Sequence, residues 1–457
     1  MDEPDCSWVQ CIPVYDNIEA LTVEFAKYLK QGIWGLADKA LPVFYGLAYV
    51  VLVIRVLPEE EFGNFVLIQE IFLIVSALAT GFALQPLLKF AAELGAKHRE
   101  VVGAAFLMNL LFIVLSSILI VLFSHPAGTI LNSRGLTPLM LYVPAMLAAS
   151  FVRNFALILL QTRFMIKEIF WTDAAHFVGA PILIWVYSRM HLFDSALDLI
   201  VINVISLSVS SVIGLLCSRS LLTMTLRPRM EEMQKMWNYG KYSLGGIVSY
   251  LVYSKADTFI LSGFTGPVQV AVYNSAKVFT RVFDMVSQIV QMFVLPAASR
   301  LSSLKDSRSL KVMTEKSILF ATVGMLPVFV LFLIAPGLMV NVLYSGRYAG
   351  AVPILQVFSL LSFVIPAVAV GSSVLMGLGE AKLGFIIGLE MLVASIAAYL
   401  VFIPWLGEMG AAIGFVVASF ITSWLTVAGM NRVVPVTVGE VLRRINDIRA
   451  FIRSRLG

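Results

Sequence analysis

Apolar residues run along this chain in long blocks broken by short polar stretches. A bilayer core needs about 20 apolar residues in a helix to cross it. Backbone groups in lipid must be satisfied within the segment, so such blocks are expected to be helices. Twelve are found, near 34–56, 65–88, 101–123, 138–160, 168–188, 196–218, 242–263, 268–294, 317–335, 352–376, 383–404 and 411–430. Two flanks carry a different pattern. Residues 18–30 set Ile18, Leu21, Phe25, Tyr28 and Leu29 at helical spacing beside Glu19, Glu24, Lys27 and Lys30. Residues 441–456 set Val441, Leu442, Ile445, Ile448, Ile452 and Leu456 among Arg443, Arg444, Arg449 and Arg453. Both read as amphipathic helices lying on a membrane surface, the basic one drawn to anionic lipid.

The blocks repeat. RVLPEEEFGNFVLIQEIF follows the first block, and SGFTGPVQVAVYNSAKVF stands at the matching place in the second half. QPLLKFAAEL (85–94) answers LPAASRLSSL (295–304), and LLQTRFMIK (159–167) answers VLMGLGEAK (374–382). Two six-helix halves in the same orientation are expected, an architecture found in transporters whose substrate path lies between the halves. The expected map is a surface segment at 1–31, a first lobe at 32–222, a linker at 223–241, a second lobe at 242–431 and a basic tail at 432–457.

Composition narrows the class. The 457 residues are 59% hydrophobic and only 13% charged, where soluble domains hold about 25% charged residues. Soluble enzymes, nucleic-acid readers and disulfide scaffolds are excluded on that ground. The net charge of +5 is explained by loop asymmetry rather than by nucleic acid. With the N-terminus inside, 24 of the 33 Lys and Arg residues fall on the cytoplasmic side, four on the outer side and five within spans. That asymmetry places both termini in the cytoplasm. The first 31 residues have no apolar core and are not expected to be a cleaved leader. Three cysteines, Cys6, Cys11 and Cys217, form no zinc pattern, and no phosphate-binding GxxxxGK[ST] loop is present. No metal or cofactor is expected.

The order and spacing of LPEEEFGNF (57–65), LKFAAELG (88–95) and YSKADTFILSGFTGPVQVAVYNSAKVFTRV (253–282) resemble the polysaccharide flippases of the multidrug/oligosaccharidyl-lipid/polysaccharide exporter superfamily. The resemblance spans roughly residues 25–430. It implies an all-α polytopic membrane protein of about twelve helices in two parallel six-helix lobes forming a V. It also implies ATP-independent, alternating-access movement of a polyprenyl-diphosphate-linked oligosaccharide to the outer leaflet of the inner membrane, beside other polysaccharide-assembly membrane proteins. Related branches export drugs against Na⁺ or H⁺.

Ionisable groups inside spans cost at least ~2.5–3.5 kcal/mol and face a cavity or a partner. Lys277 and Arg281 lie four apart on the eighth block, with Asn274 and Asp284 on the same stripe. They are the leading candidates for the diphosphate, since Arg offers a planar fork and Lys a point charge. Pairing with Asp257, Asp284 or Glu70 is the alternative. Arg153, Lys255 and Lys39 complete the substrate-binding candidates. Arg153 either lines the sugar path or pairs with Asp173, and Lys39 can instead snorkel to the interface. Asp257, Asp284, Glu70 and Asp173 are the ion-coupling candidates, with Glu70 expected near the outer end of its helix. His176 is expected to bond to Asp173. Tyr250, Tyr253, Tyr273, Phe279 and Trp171 could stack on sugars, and Pro86, Pro144, Pro181, Pro296, Pro327 and Pro366 are expected to kink their helices. A drug or cation antiporter of the same fold, and an envelope glycan polymerase or ligase, are the rival readings. The outer loops are too short for the catalytic loop the latter class usually carries.

Overall fold

The computed structural model describes residues 34–444, apart from positions 36, 43, 47, 49–51, 55, 93–97, 191 and 226. The amphipathic segment at 18–30 and the tail beyond Arg444 lie outside the described residues. Among the described residues every regular element is a helix. The first expected span is helical at its described positions from Trp34 to Val53. The second runs Glu59–Ala79, turns π-helical over Thr80–Leu84 and continues through Gln85–Ala92. The third is His98–Leu122, and the fourth Leu136–Met140 followed by Val143–Thr162. The fifth joins Ile166–Phe177 to Gly179–Arg189, and the sixth is Ala196–Ser218. The seventh is Met230–Thr265, the eighth Pro267–Ser303 and the ninth Ser307–Ile334. The tenth is a pair, Ala351–Ser359 and Leu361–Gly377, bent by 49°. The eleventh and twelfth form the run Ala381–Asn431, broken at Gly407 by φ 57° and ψ −130°. Eight of these helices are long and apolar enough to cross a membrane, and the bent pair makes a ninth. The protein is an all-α polytopic membrane protein, and its elements accommodate the expected twelve spans.

Two helices start earlier than hydropathy suggests. The second begins at Glu59, six residues before the apolar block. Pro58 stands at its N-cap and Glu59, Glu60 and Glu61 fill its first turn, where acids are favoured by the helix dipole. The seventh begins at Met230, inside the stretch expected to be a linker. Its first turns are amphipathic, with Met236 buried and Glu231, Lys235 and Asn238 exposed, so no apolar run announces them.

Packing joins the halves differently at their two ends. At the base-poor end one core is shared: Phe62, Phe65, Ile68, Leu136 and Leu139 of the first half are continuous with Leu261, Val270, Ala271, Tyr344 and Tyr348 of the second. At the base-rich end there are two cores. One gathers Leu84, Leu87, Val101, Phe155 and Leu159 around Met236 of the seventh helix. The other gathers Val294, Ala298, Leu310, Val374 and Met430. The seventh helix thus belongs to the first half's core at its start and to the shared core at its end. Away from these cores the apolar surface is exposed, as at Leu111, Ile118 and Leu122 of the third helix, 60%, 57% and 68% accessible, which suits a face against lipid.

Backbone contacts make both joints tight. At the base-poor end a Cβ on Gly63 would strike the carbonyl oxygen of Pro267, which opens the eighth helix. Ser262 Oγ donates to the Leu131 carbonyl at 2.6 Å and Arg347 Nη1 to the Leu57 carbonyl at 3.2 Å. At the base-rich end Gly240 lies against the carbonyl of Phe82. Pro86 has no N–H for that carbonyl, and the π-helical turn over Thr80–Leu84 is where the second helix absorbs the proline. Of the other prolines, Pro144 sits in a first helical turn, Pro181 follows the break at Val178, and Pro296, Pro327 and Pro366 stay inside helices.

Gly63→Ala is therefore expected to force the second and eighth helices apart and to cost about 1–3 kcal/mol, as overpacking does. Gly337→Ala, whose added Cβ meets nothing within 4 Å, is expected to leave stability within about 0.5 kcal/mol. Thermal unfolding of the two purified variants in one detergent checks the contrast.

Candidate functional site

A cavity of about 530 Å³ lies between the halves. It starts beneath the shared core at Phe62 and Phe65 and extends along the second and eighth helices to Ser76 and Gln288. The first half lines it with Tyr45, Gln69, Glu70, Arg153, Asn154 and His176. The second half lines it with Lys255, Asn274, Arg281, Asp284 and Gln288. Both halves thus meet across a space holding three bases, two acids and several amides.

Each charge has its own surroundings. Arg153 Nη2 reaches Asp173 Oδ1 at 2.5 Å, Nε reaches Ser210 Oγ at 3.0 Å, and Nη1 reaches Asn154 Oδ1 at 3.2 Å. Its guanidinium also lies 5.6 Å from the Phe177 ring centroid. Both readings of Arg153 therefore hold, because it pairs with Asp173 and lines the cavity. Lys255 Nζ lies 2.9 Å from Glu70 Oε1 and 2.7 Å from Oε2. This pair crosses from one half to the other. Glu70 stands eleven residues into the second helix, about 16 Å below its start at 1.5 Å per residue. Glu70 lines the cavity beside Lys255.

The eighth helix separates the two leading candidates. Lys277 Nζ is held by Asp257 Oδ2 at 2.5 Å and by the Ser254 carbonyl at 3.3 Å. Asp257 is fully buried and also accepts from Tyr273 Oη at 2.6 Å. Lys277 is therefore not among the residues lining the cavity. Between it and Arg281 the helix tightens into a 3-10 turn over Val278–Thr280. Three residues per turn instead of 3.6 rotate the following stretch, so the shared stripe read from ideal spacing is split. Arg281 keeps the cavity face with Asn274 and Asp284, and its guanidinium rests where a side chain on Gly46 would stand. Among the described residues no carboxylate lies within ion-pair distance of Arg281.

The remaining candidates sit elsewhere. Lys39 is 80% exposed with Nζ 3.2 Å from Asp38, and it does not line the cavity. His176 Nδ1 bonds to Ser206 Oγ at 2.9 Å rather than to Asp173, because Arg153 occupies that carboxylate. Tyr273 is spent on Asp257, Phe279 packs edge-on against Phe332 and Tyr344, and Trp171 packs on Trp34 and Phe170. The side chains of Tyr250 and Tyr253 lie outside the described residues. Sequence reasoning passed over Gln69, Asn154 and Gln288. Amides inside a span are as costly to leave unpaired as hydroxyls, and that cost was the available signal. The cavity is also less cationic than expected, since Glu70 and Asp173 offset two of its three bases.

Two helical halves around a polar cavity define a membrane transporter fold. Solved structures share it. The lipid II flippase MurJ in an inward closed conformation aligns with TM-score 0.73 and 14% identity, over 91% of this chain and 89% of that one. An inward-facing multidrug resistance transporter of the MATE family aligns with TM-score 0.69 and 17% identity, over 87% and 97%. The family described as polysaccharide biosynthesis protein matches residues 51–353, and the chain belongs to that family. A putative O-antigen transporter of Shigella flexneri is 27% identical over 175 residues, 37% of this chain and 41% of that protein. A probable low-salt glycan biosynthesis flippase of Haloferax volcanii is 22% identical over 295 residues, 64% and 60%. The chain thus spans less than two thirds of these curated relatives.

Asp257→Asn is expected to leave Lys277 buried without a counter-charge and to destabilise by about 3–5 kcal/mol. Lys277→Met together with Asp257→Leu is expected to recover most of that loss. Unfolding midpoints of the single and double variants decide the point, and equal midpoints for wild type and Asp257→Asn would refute a structural pair.

Proposed function

We propose that the protein is a flippase carrying a polyprenyl-diphosphate-linked oligosaccharide from the inner to the outer leaflet of the cytoplasmic membrane, with both termini in the cytoplasm. The observation that carries this reading is the cavity between the halves, where Arg281 faces the space without a carboxylate partner among the described residues. A diphosphate needs such a base at a depth where a carboxylate would be the usual company. Asn274, Asn154, Gln69 and Gln288 supply donors and acceptors suited to sugar hydroxyls, while the polyprenyl tail stays in lipid. The shared core closes the base-poor end, which fits a state loaded from the base-rich, cytoplasmic side.

The same geometry suggests how an ion enters. Arg281 takes the first phosphate contact. Among the described residues Lys255 is the lining base whose carboxylate partner comes from the opposite half, so parting of the halves frees it for the second contact. Glu70 then loses its cation at mid-depth, and a proton or Na⁺ must answer it. Asp284, within electrostatic reach of Arg281, Lys277 and Lys255, offers a second such place. Arg153 and Asp173 form the fixed wall of the path.

Glu70 and Asp284 also keep a second reading open, export of a cationic compound, for which lining acids are the natural partners. Reconstituted vesicles separate the two. Wild type is expected to expose a labelled polyprenyl-diphosphate oligosaccharide on the far leaflet. Arg281→Ala is expected to reduce that rate by at least about tenfold, the worth of a charge-assisted bond to phosphate, with unchanged unfolding temperature. Transport of cationic dyes in place of the labelled lipid, or full flipping by Arg281→Ala, would overturn the assignment.

A further inference from the structure

The first helix turns a narrow stripe toward the cavity, which includes Pro42, Tyr45 and Gly46. Steps of three and four put these residues on one face. Glycine inside a helix is disfavoured relative to alanine, and Gly46 is buried, so a close contact is the natural reason for it. The contact is Arg281. A methyl group on residue 46 would fall 2.9 Å from Cζ of Arg281, 3.7 Å from Nε and nearer still to Nη1. The guanidinium thus fills the side-chain space of residue 46, and it reaches that space from the opposite half. At Gly63, Gly103 and Gly240 the nearest atom is a backbone carbonyl oxygen. At no described glycine besides Gly46 is it an atom of a charged side chain.

The first-half side of this contact is anchored. Tyr45, the residue before, sets its ring 5.6 Å from the rings of His176 and Phe177 and its hydroxyl 3.5 Å from Asn203 Oδ1. These contacts tie the first helix to the fifth and sixth within the same half. The second-half side offers Arg281 a competing partner. Asp284 stands three residues further along the eighth helix, a spacing at which side chains meet. It lines the same cavity and lies within electrostatic reach of Arg281. Among the described residues the two nevertheless form no ion pair, and the guanidinium lies against the first helix instead.

We infer, on the diphosphate cargo proposed above, that Gly46 is the positioning residue for the phosphate-binding base. Its missing side chain is a notch that seats the Arg281 guanidinium against the first half and holds it away from Asp284. A side chain in the notch evicts the guanidinium, and the acid on its own helix captures it. The base is then spent on a carboxylate and no longer meets an anionic headgroup. Both halves therefore build the phosphate site, the second by supplying the charge and the first by supplying its seat. The atom a methyl would meet is the far end of a flexible side chain, so filling the notch moves Arg281 and leaves the helices where they are.

Binding of a labelled polyprenyl-diphosphate oligosaccharide to the purified full-length protein in detergent tests this, beside thermal unfolding of each variant. Gly46→Ala is expected to weaken binding by at least about fivefold, with an unfolding temperature at or above that of wild type. Added to Arg281→Ala, it is expected to change binding no further, because the base it positions is gone. Added to Asp284→Asn, it is expected to weaken binding less, because the displaced guanidinium finds no carboxylate. A further loss on top of Arg281→Ala would mark a packing role and overturn the inference. So would equal losses with and without Asp284→Asn, or an unfolding temperature lowered as far as in Gly63→Ala. Wild-type affinity in Gly46→Ala beside a loss in Arg281→Ala would overturn the inference alone. A wild-type protein that binds no such lipid would overturn the cargo assignment and the inference with it.

Discussion

A charge halfway across a bilayer must be answered by an opposite charge or by water, and the placement of those answers organises this protein. Among the described residues three ion pairs lie deep in the helices. Arg153–Asp173 is internal to the first half and Lys277–Asp257 is internal to the second. Lys255–Glu70 alone among these three joins one half to the other. The two internal pairs can persist while the halves move as bodies, because neither partner changes its neighbours. The third cannot. Any motion that parts the second and seventh helices breaks it, and the cost must be met by something that enters the cavity. Under the proposed function, a requirement of the hydrocarbon would thus become a coupling between cargo, ion and conformation.

The cores at the two ends are asymmetric. One continuous apolar core holds the halves together at the base-poor end, while at the other end the cores are separate and the seventh helix packs on the first half through Met236 and Gly240. Close-packed interiors deform poorly and switch between discrete arrangements. Opening the base-poor end therefore requires the shared core to divide, including the backbone contact of Gly63 with Pro267. The seventh helix spans both situations, since Met236 belongs to the first half's core and Leu261 to the shared one. It is also the helix that carries Lys255 and Asp257, and so links the gate to the charges.

Much of this was legible in the chain. Block length gave the helices. The charged candidates were found because charge is rare inside spans, and Arg153, Lys255, Arg281, Glu70 and Asp284 do line one cavity. What spacing could not give was rotation about a helix axis after a local change of winding. Lys277 and Arg281 share a face in an ideal helix, and one 3-10 turn sends the first to Asp257 and the second into the cavity. Polar helix starts were equally invisible. Glu59–Glu61 and the amphipathic turns after Met230 have no apolar signature, so both helices were read as starting later than they do.

The split between Lys277 and Arg281 also has a consequence for selectivity. A cavity holding two adjacent unpaired bases would bind any polyanion and would destabilise the empty carrier by their repulsion. If the protein is the proposed flippase, holding one base in a fixed pair, and a second in a pair that breaks only when the halves move, would leave a single base to meet the cargo. Binding would then strengthen as the conformation changes, which would place the binding energy in the transition and not in the resting complex. Such a carrier would gain from that arrangement at release, because the inter-half pair would re-form when the phosphate leaves.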